Sequence, residues 1–339
     1  MKYTVLNPHF ATTRMVIKDT LAYENSAQLV PIEGGLRTKG YKKQSYRATE
    51  SSSAEDADMP LVTIITVVYN NDVYLAETID SVTQQSYSNI EYIIIDGGST
   101  DGTLDIIRQH EDRIDYWISE PDNGLYDAMN KGIALATGEI IGILNSDDLY
   151  FPTTVTEVVA EYQKQPQPCV IFGSLYKFAP ESETTSLHRG DLSDRSFASA
   201  SILINHPTCF VHHSLYRDFG GFKPEYEVGA DRELMMRFHR QGVSFINLER
   251  AIAKFRLGGT TSNQSLSAII NREIVQEYRL LSAYSINKVI IAKVLGKKCL
   301  QSLRKWLVYQ LLGEKLTNRL IMFYISRKFS PDSKVDALK

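Results

Sequence analysis

Asp147 and Asp148 stand side by side just after the apolar run Glu139-Ile-Ile-Gly-Ile-Leu144, behind Asn145 and Ser146. Such a short apolar run predicts a buried strand, with the carboxylates at its C-terminal end. Like charges this close raise each other's pKa unless a cation sits between them. A hard divalent ion that also holds phosphate oxygens is the commonest reason to build such a pair. The plainer alternative is a solvated turn capping the next helix.

Three more segments place polar groups at predicted strand ends. Leu61-Val-Thr-Ile-Ile-Thr-Val-Val-Tyr69 is short and β-branched and leads into Asn70. Ile90-Glu-Tyr-Ile-Ile-Ile95 leads into the turn Asp96-Gly-Gly-Ser-Thr-Asp-Gly102, and Trp117-Ile-Ser119 leads into Glu120-Pro-Asp122. Helical spacing of Leu75, Ile79 and Val82, a helix from about Thr103 to His110 and another from Tyr126 to Ala136 with Gly138 as C-cap alternate with these strands. The alternation predicts an α/β fold, a mostly parallel sheet with helices on both faces. Ligands of such sheets bind at the carboxyl ends of the strands.

Beyond the carboxylate pair, Val170–Gly173, His206–Val211, Phe245–Leu248 and Ile252–Phe255 read as strands and Asp231–Gln241 as a helix. Residues 1–58 read as an N-terminal arm ending in the polar linker Ser51-Ser-Ser-Ala-Glu-Asp-Ala-Asp58, with Gly34-Gly-Leu-Arg-Thr-Lys-Gly40 a turn-rich contact segment. Residues 59–265 form the main domain, divided into 59–150 and 151–265, and 266–339 a helical basic extension. That extension carries Lys288, Lys293, Lys297, Lys298, Arg304, Lys305, Lys315, Arg319, Arg327 and Lys328 against apolar faces, a pattern suited to an anionic membrane surface. Packing on the core or on a second subunit is the alternative.

The 339 residues are 43% hydrophobic and 23% charged with net charge -3, which gives no overall argument for nucleic acid as a partner. Cys169, Cys209 and Cys299 lie far apart, which excludes a cysteine-rich zinc site and fits a reducing compartment. Neither a signal-peptide apolar region nor a spanning-length apolar run is evident, so a cytoplasmic chain is expected, possible contact with the inner membrane's cytoplasmic face being peripheral. The first strand is followed neither by GxGxxG nor by a P-loop, which disfavours a dinucleotide oxidoreductase and a P-loop ATPase.

Six segments in order carry a family likeness over about 60–260. They are Ile64-Ile-Thr-Val-Val-Tyr-Asn70, Ile95-Asp-Gly-Gly-Ser-Thr-Asp-Gly-Thr103, Ser119-Glu-Pro-Asp-Asn-Gly-Leu-Tyr-Asp-Ala-Met-Asn-Lys-Gly132, Leu144-Asn-Ser-Asp-Asp148, Gly220-Gly-Phe222 and Gly229-Ala-Asp-Arg-Glu-Leu234. The chain resembles family 2 glycosyltransferases of the GT-A fold, in particular the bacterial exopolysaccharide and colanic-acid type. The resemblance implies inverting transfer of a sugar from a nucleotide-sugar donor, a UDP-sugar, to a hydroxyl of a glycan or lipid-linked acceptor in surface polysaccharide synthesis. It implies Mn²⁺ or Mg²⁺ on Asp147 and Asp148, with Asn145 a neutral oxygen ligand or ribose partner where many relatives have Asp.

It further implies that Val68, Tyr69 and Asn70 wall the base pocket and that Asp96 accepts from the uracil N–H. Asn130 and Lys131 lie on a helix near the ribose and diphosphate, Lys131 with a surface ion pair to Asp127 as its alternative. Asp231 becomes the general base that takes the acceptor's proton, with Glu233 as its substitute and a plain N-cap as its structural alternative. His206-Pro-Thr208 lines the acceptor side, and Arg256 with Gly258-Gly-Thr-Thr261 forms a mobile closing loop. A sugar-phosphate nucleotidyltransferase lacks support in Val68-Tyr-Asn-Asn-Asp72, which is not a glycine- and arginine-rich phosphate loop. A non-catalytic scaffold on the same fold predicts lost carboxylates, whereas Asp96, Asp147, Asp148 and Asp231 are all present.

Overall fold

The computed structural model describes residues 4–5, 32–45, 59–179, 182–198, 202–226, 229–257, 295–296 and 299–300. Its first half runs β1 (Ile32–Gly34), β2 (Val62–Val68), α1 (Leu75–Thr83), β3 (Ile90–Asp96), α2 (Thr103–Gln109), β4 (Tyr116–Ser119), α3 (Leu125–Leu135), β5 (Ile140–Asn145) and β6 (Leu149–Tyr150). The second half runs α4 (Thr154–Lys164), β7 (Cys169–Ala179), β8 (Ser182–His188), α5 (Asp194–Ala198), β9 (Phe210–His212), α6 (His213–Phe219), α7 (Ala230–Arg240) and β10 (Ser244–Arg256).

The sheet's centre is parallel. β2 pairs with β3 and β5, and β4 continues beyond β3. All residues of β2 and β3 are buried, because helices cover both faces. Side chains alternate between the two cores: Ile65, Val67, Ile93 and Ile95 pack with Met129 and Leu234, while Ile64, Tyr92 and Ile94 pack with Leu75, Ile79 and Ile107. The α/β expectation therefore holds at the centre, and antiparallel strands extend it. β1 flanks β4, while β9, β7, β10 and β6 follow β5, with β8 on β7. Within that group β7 and β10 pair in parallel.

The expected arm contributes β1 to the sheet edge. Its glycine is required there: a Cβ on Gly34 would lie 2.6 Å from the Trp117 indole nitrogen. Residues 32–45 are further tied down by ion pairs, of which Lys39 with Glu111 at 3.7 Å is the most exposed. Arg37 meets the buried Glu91, and Lys43 donates to Asp115 at 2.8 Å and to the Ile90 carbonyl at 2.6 Å.

Three local expectations are corrected. The α3 C-cap is Ala136 in extended conformation, and Gly138 instead serves close approach, where a Cβ would lie 2.6 Å from the Thr63 backbone nitrogen. His206–Thr208 is a 3₁₀ turn, since Pro207 cannot donate to a ladder, and the strand starts only at Phe210. The two short strands at 245–255 are one strand, β10, interrupted by a register shift near Glu249, which has positive φ. The basic positions of 266–339 and Gly258–Thr261 lie outside the described residues.

Candidate functional site

The C-terminal ends of β2, β3, β4 and β5 share one edge because the strands are parallel and in register. β9 runs antiparallel to β5, pairing Phe210 with Gly142, so the preceding turn, His206–Thr208, lies toward the same edge.

The turn after β3 is built around Asp96. This carboxylate is fully buried and accepts from the Ser99 amide at 3.0 Å, the Ser99 hydroxyl, and the Ser119 hydroxyl at 2.6 Å. It presents no surface for direct contact with a ligand's base, so here it organises the turn and ties it to β4. Val68 is likewise buried, its carbonyl accepting from the Gly97 amide at 2.9 Å. Asn70 takes the left-handed φ of 49° and fastens the loop to that turn, accepting from Thr100 N–H at 2.8 Å while its own N–H donates to Ser99 Oγ at 2.8 Å. Tyr69 is 62% exposed, so it is a wall of this edge and not a core tyrosine.

Asp122 lies beside that wall. A Cβ on Gly97 would come within 2.5 Å of Asp122 Oδ2 and 3.4 Å of Tyr69 Cδ2, so both side chains border the same glycine. Asp122 Oδ1 accepts from the Gly124 N–H at 2.8 Å, and burial raises the carboxyl's pKa.

Asp147 and Asp148 close the edge after β5. Burial raises the pKa of both, and the Asp147 charge raises Asp148 further. Asp148 is fully buried: its Oδ1 accepts from the Arg256 N–H at 3.1 Å and its Oδ2 lies 3.5 Å from the Asn145 amide nitrogen. Asp147 is partly exposed. The Asn145 Oδ1 atom is buried and has no hydrogen-bond partner among the described residues. The two carboxylates and the orphaned Asn145 oxygen are the residues of this edge whose chemistry could hold a hard cation.

Arg256 is the last residue of β10 and not part of a loose loop. Its guanidinium lies between the Tyr74 and Phe178 rings, 4.1 and 4.7 Å from their centroids, and donates to the Asp147 carbonyl at 3.1 Å and to Glu77 at 2.7 Å. It thus braces the carboxylate pair from behind.

Two residues expected near the diphosphate have other partners. Lys131 is buried, 3.0 Å from Glu120 and 3.8 Å from Asp127, and donates to the Pro121 carbonyl at 3.1 Å. It is neither a surface ion pair nor open to a phosphate, and it clamps the 120–122 loop. Asn130 uses both ends of its amide on one residue, accepting from the Phe222 N–H at 2.8 Å and donating to its carbonyl at 2.7 Å.

On the second half of the edge, Asp231 is partly exposed in the first turn of α7, with one oxygen accepting from the Arg232 N–H at 2.9 Å. The N-cap is Gly229, which replaces the expectation that Asp231 caps the helix. The charge of Asp231 acts on three neighbours. It opposes the lowering of the His206 pKa by burial, and it adds to the raising of the Cys209 thiol and the Tyr126 phenol by burial. Glu233 cannot substitute for Asp231: it is fully buried and paired with Lys223 at 2.8 Å and Arg237 at 2.8 Å. Sequence reasoning passed over Arg256 as a brace and gave Tyr126 only as the start of a helix, because their contacts, with the Asp147 carbonyl and the Gly229 N–H, span separations that no local motif records.

Residues 63–219 match the model of glycosyl transferase family 2. An uncharacterized glycosyltransferase of Mycobacterium tuberculosis is 34% identical over 182 residues, covering 52% of this chain and 68% of that one. The putative glycosyltransferase EpsE of Bacillus subtilis is 30% identical over 203 residues, 58% of this chain and 73% of its own. Among solved structures, the mannosyltransferase PcManGT of Pyrobaculum calidifontis, in complex with GDP-Man and Mn²⁺, matches 81% of this chain and 82% of its own with TM-score 0.53 at 17% identity. Staphylococcus aureus TarS 1–349 in complex with UDP-GlcNAc matches 66% and 71% with TM-score 0.51 at 17% identity.

Proposed function

The chain belongs to glycosyl transferase family 2, and from that premise we propose that it transfers a sugar from a UDP-sugar, with inversion, to a hydroxyl of a glycan or lipid-linked acceptor in surface polysaccharide synthesis. The observation that carries this reading is the Asp147–Asp148 pair after β5, with the charge of Asp231 acting on His206 and Cys209 in the turn that leads toward the same edge. Support for a nucleotide-sugar donor comes from the related folds of TarS, in complex with UDP-GlcNAc, and PcManGT, with GDP-Man and Mn²⁺.

Asp147, backed by Asp148 and with Asn145 beside it, would hold Mn²⁺ or Mg²⁺. When bound, that ion neutralises charge on the departing nucleoside diphosphate. The exposed Tyr69 ring and the Asp122 carboxylate border the base, while Asp96, Asn70 and Lys131 hold the loops that frame it. Asp231 accepts the proton of the acceptor hydroxyl, whose oxygen attacks the anomeric carbon opposite the leaving group. Residues 59–265 form the catalytic unit, and the basic segment 266–339 serves contact with an anionic membrane surface at the cytoplasmic face. No helix among the described residues is long and apolar enough to cross a membrane.

Release of nucleoside diphosphate from a panel of UDP- and GDP-sugars, with Mn²⁺ and lipid-linked glycan acceptors, tests the reading. Turnover of a UDP-sugar with an inverted anomeric product by NMR is expected. Turnover of GDP-sugars alone would overturn the nucleotide, and retention of configuration would overturn the mechanism. Binding of donor without any turnover would favour the scaffold alternative.

A further inference from the structure

α7 carries Asp231, yet its N-cap, Gly229, supplies no side-chain acceptor for the leading N–H groups of the helix. Such orphan donors need a partner. They find it 103 residues earlier in the chain: the Gly229 N–H donates to the Tyr126 phenolic oxygen at 3.1 Å. The Ala230 and Asp231 amides add only a lowering influence on the Tyr126 pKa, against the raising by burial. The Tyr126 ring is fixed for this task, stacked on Phe222 with centroids 5.4 Å apart and planes 23° from parallel. One turn along the same face of α3, Asn130 bonds both backbone groups of Phe222. α3 therefore grips the second half of the edge twice, at Phe222 and at the head of α7.

The consequence lies in the Asp231 carboxylate. An Asp in the first helical turn tends to turn back and accept the free N–H groups. Asp231 already gives one oxygen to the Arg232 N–H. The other stays available only while something else occupies the donors at the head of the helix.

We propose that Tyr126 is a positioning residue for transfer: its phenolic oxygen caps α7 in place of Asp231 and so leaves one oxygen of Asp231 free for the acceptor hydroxyl. This rests on the reading of Asp231 as general base. The groups facing Asp231 from neighbouring elements are Tyr126 on α3, His206 in the 3₁₀ turn and Cys209 before β9.

Tyr126→Phe keeps the ring and removes the cap. In that variant the carboxylate is drawn to the vacated N–H groups, which favour its charged form and weaken it as a base. The kcat for transfer is expected to fall about tenfold or more, since small misplacements of a reacting group have effects of that order. The donor KM stays unchanged, and the acid limb of the kcat profile moves to lower pH. A role confined to stability would lower Tm and leave that limb in place. The double variant Tyr126→Phe/Asp231→Asn should be no slower than Asp231→Asn alone, because the cap acts through the base.

Unchanged kcat in Tyr126→Phe, or effects that multiply in the double variant, would overturn the capping role while leaving the base assignment standing. Full activity in Asp231→Asn would overturn the base assignment and this inference with it. A direct check is amide exchange by NMR. Protection of the Gly229 amide is expected, lost in Tyr126→Phe, and exchange at the rate of an unstructured chain in the intact protein would contradict the cap.

Discussion

The two halves of the sheet edge are built differently. In the first half, the proposed donor side, each polar group lies within a few residues of the strand that delivers it and keeps a near neighbour as one partner, Asp96 with Ser99, Asp122 with Gly124, Asn145 with Asp148, while Arg256 braces the last group from 108 residues away. On the acceptor side, position depends on distant chain segments. Tyr126 reaches Gly229, and Asn130 reaches Phe222 across 92 residues. The parallel strands set the first group by register, whereas the second exists only once the halves have packed. Damage to the chemistry without damage to donor binding should therefore come from the second group.

The sharpest test of this contrast is Asp231→Asn. Transfer should fall on the order of 10²- to 10⁴-fold, the usual contribution of a general base, while UDP affinity stays the same. A parallel loss of UDP affinity would erase the distinction between the two sides.

Asn130→Ala should follow. It removes two hydrogen bonds and strands the Phe222 N–H and carbonyl, so a loss of about 2 kcal/mol in urea unfolding is expected. The kcat should drop with UDP affinity intact. Weakened UDP binding with unchanged stability would instead restore Asn130 as a donor contact.

The smallest effect is a pH dependence on the donor side. Asp147 and Asp148 have folded pKa values above the ordinary 3.8, through burial and, for Asp148, the neighbouring charge. Raised folded values favour the fold while the pair is protonated, and that contribution is lost as pH rises through them. A divalent cation held by this pair would offset the loss and compete with protons for the same oxygens. Mn²⁺ should therefore raise Tm more at neutral pH than in mild acid, read by scanning fluorimetry. An equal shift at both would contradict a cation held by this pair.

The same contrast governs what could be read from the chain. The strands at 62–68, 90–96 and 140–145 and the turn at 96–102 are local patterns, and the edge they form was legible. Asp147 and Asp148 stand out in the chain because two carboxylates after an apolar strand are chemically conspicuous. Lys131 and Asn130 misled because a charged or amide side chain near a motif looks available until its partners are known. Both are consumed by the fold, Lys131 under the Glu120–Asp122 loop and Asn130 on Phe222. Tyr126 gave no signal, since a tyrosine at the head of a helix reads as packing, and the helix it caps lies far along the chain. Arg256 stood at the end of a strand whose continuity hid behind the shift near Glu249.

The central claim is that the Asp147–Asp148 pair holds a cation that binds the donor's diphosphate. Calorimetric titration of UDP, with Mn²⁺ and then with EDTA, into the intact protein and Asp147→Asn tests it most directly. The account predicts binding that needs Mn²⁺ and is lost or strongly weakened in the variant. Binding of equal strength in EDTA, or unchanged in the variant, would contradict it.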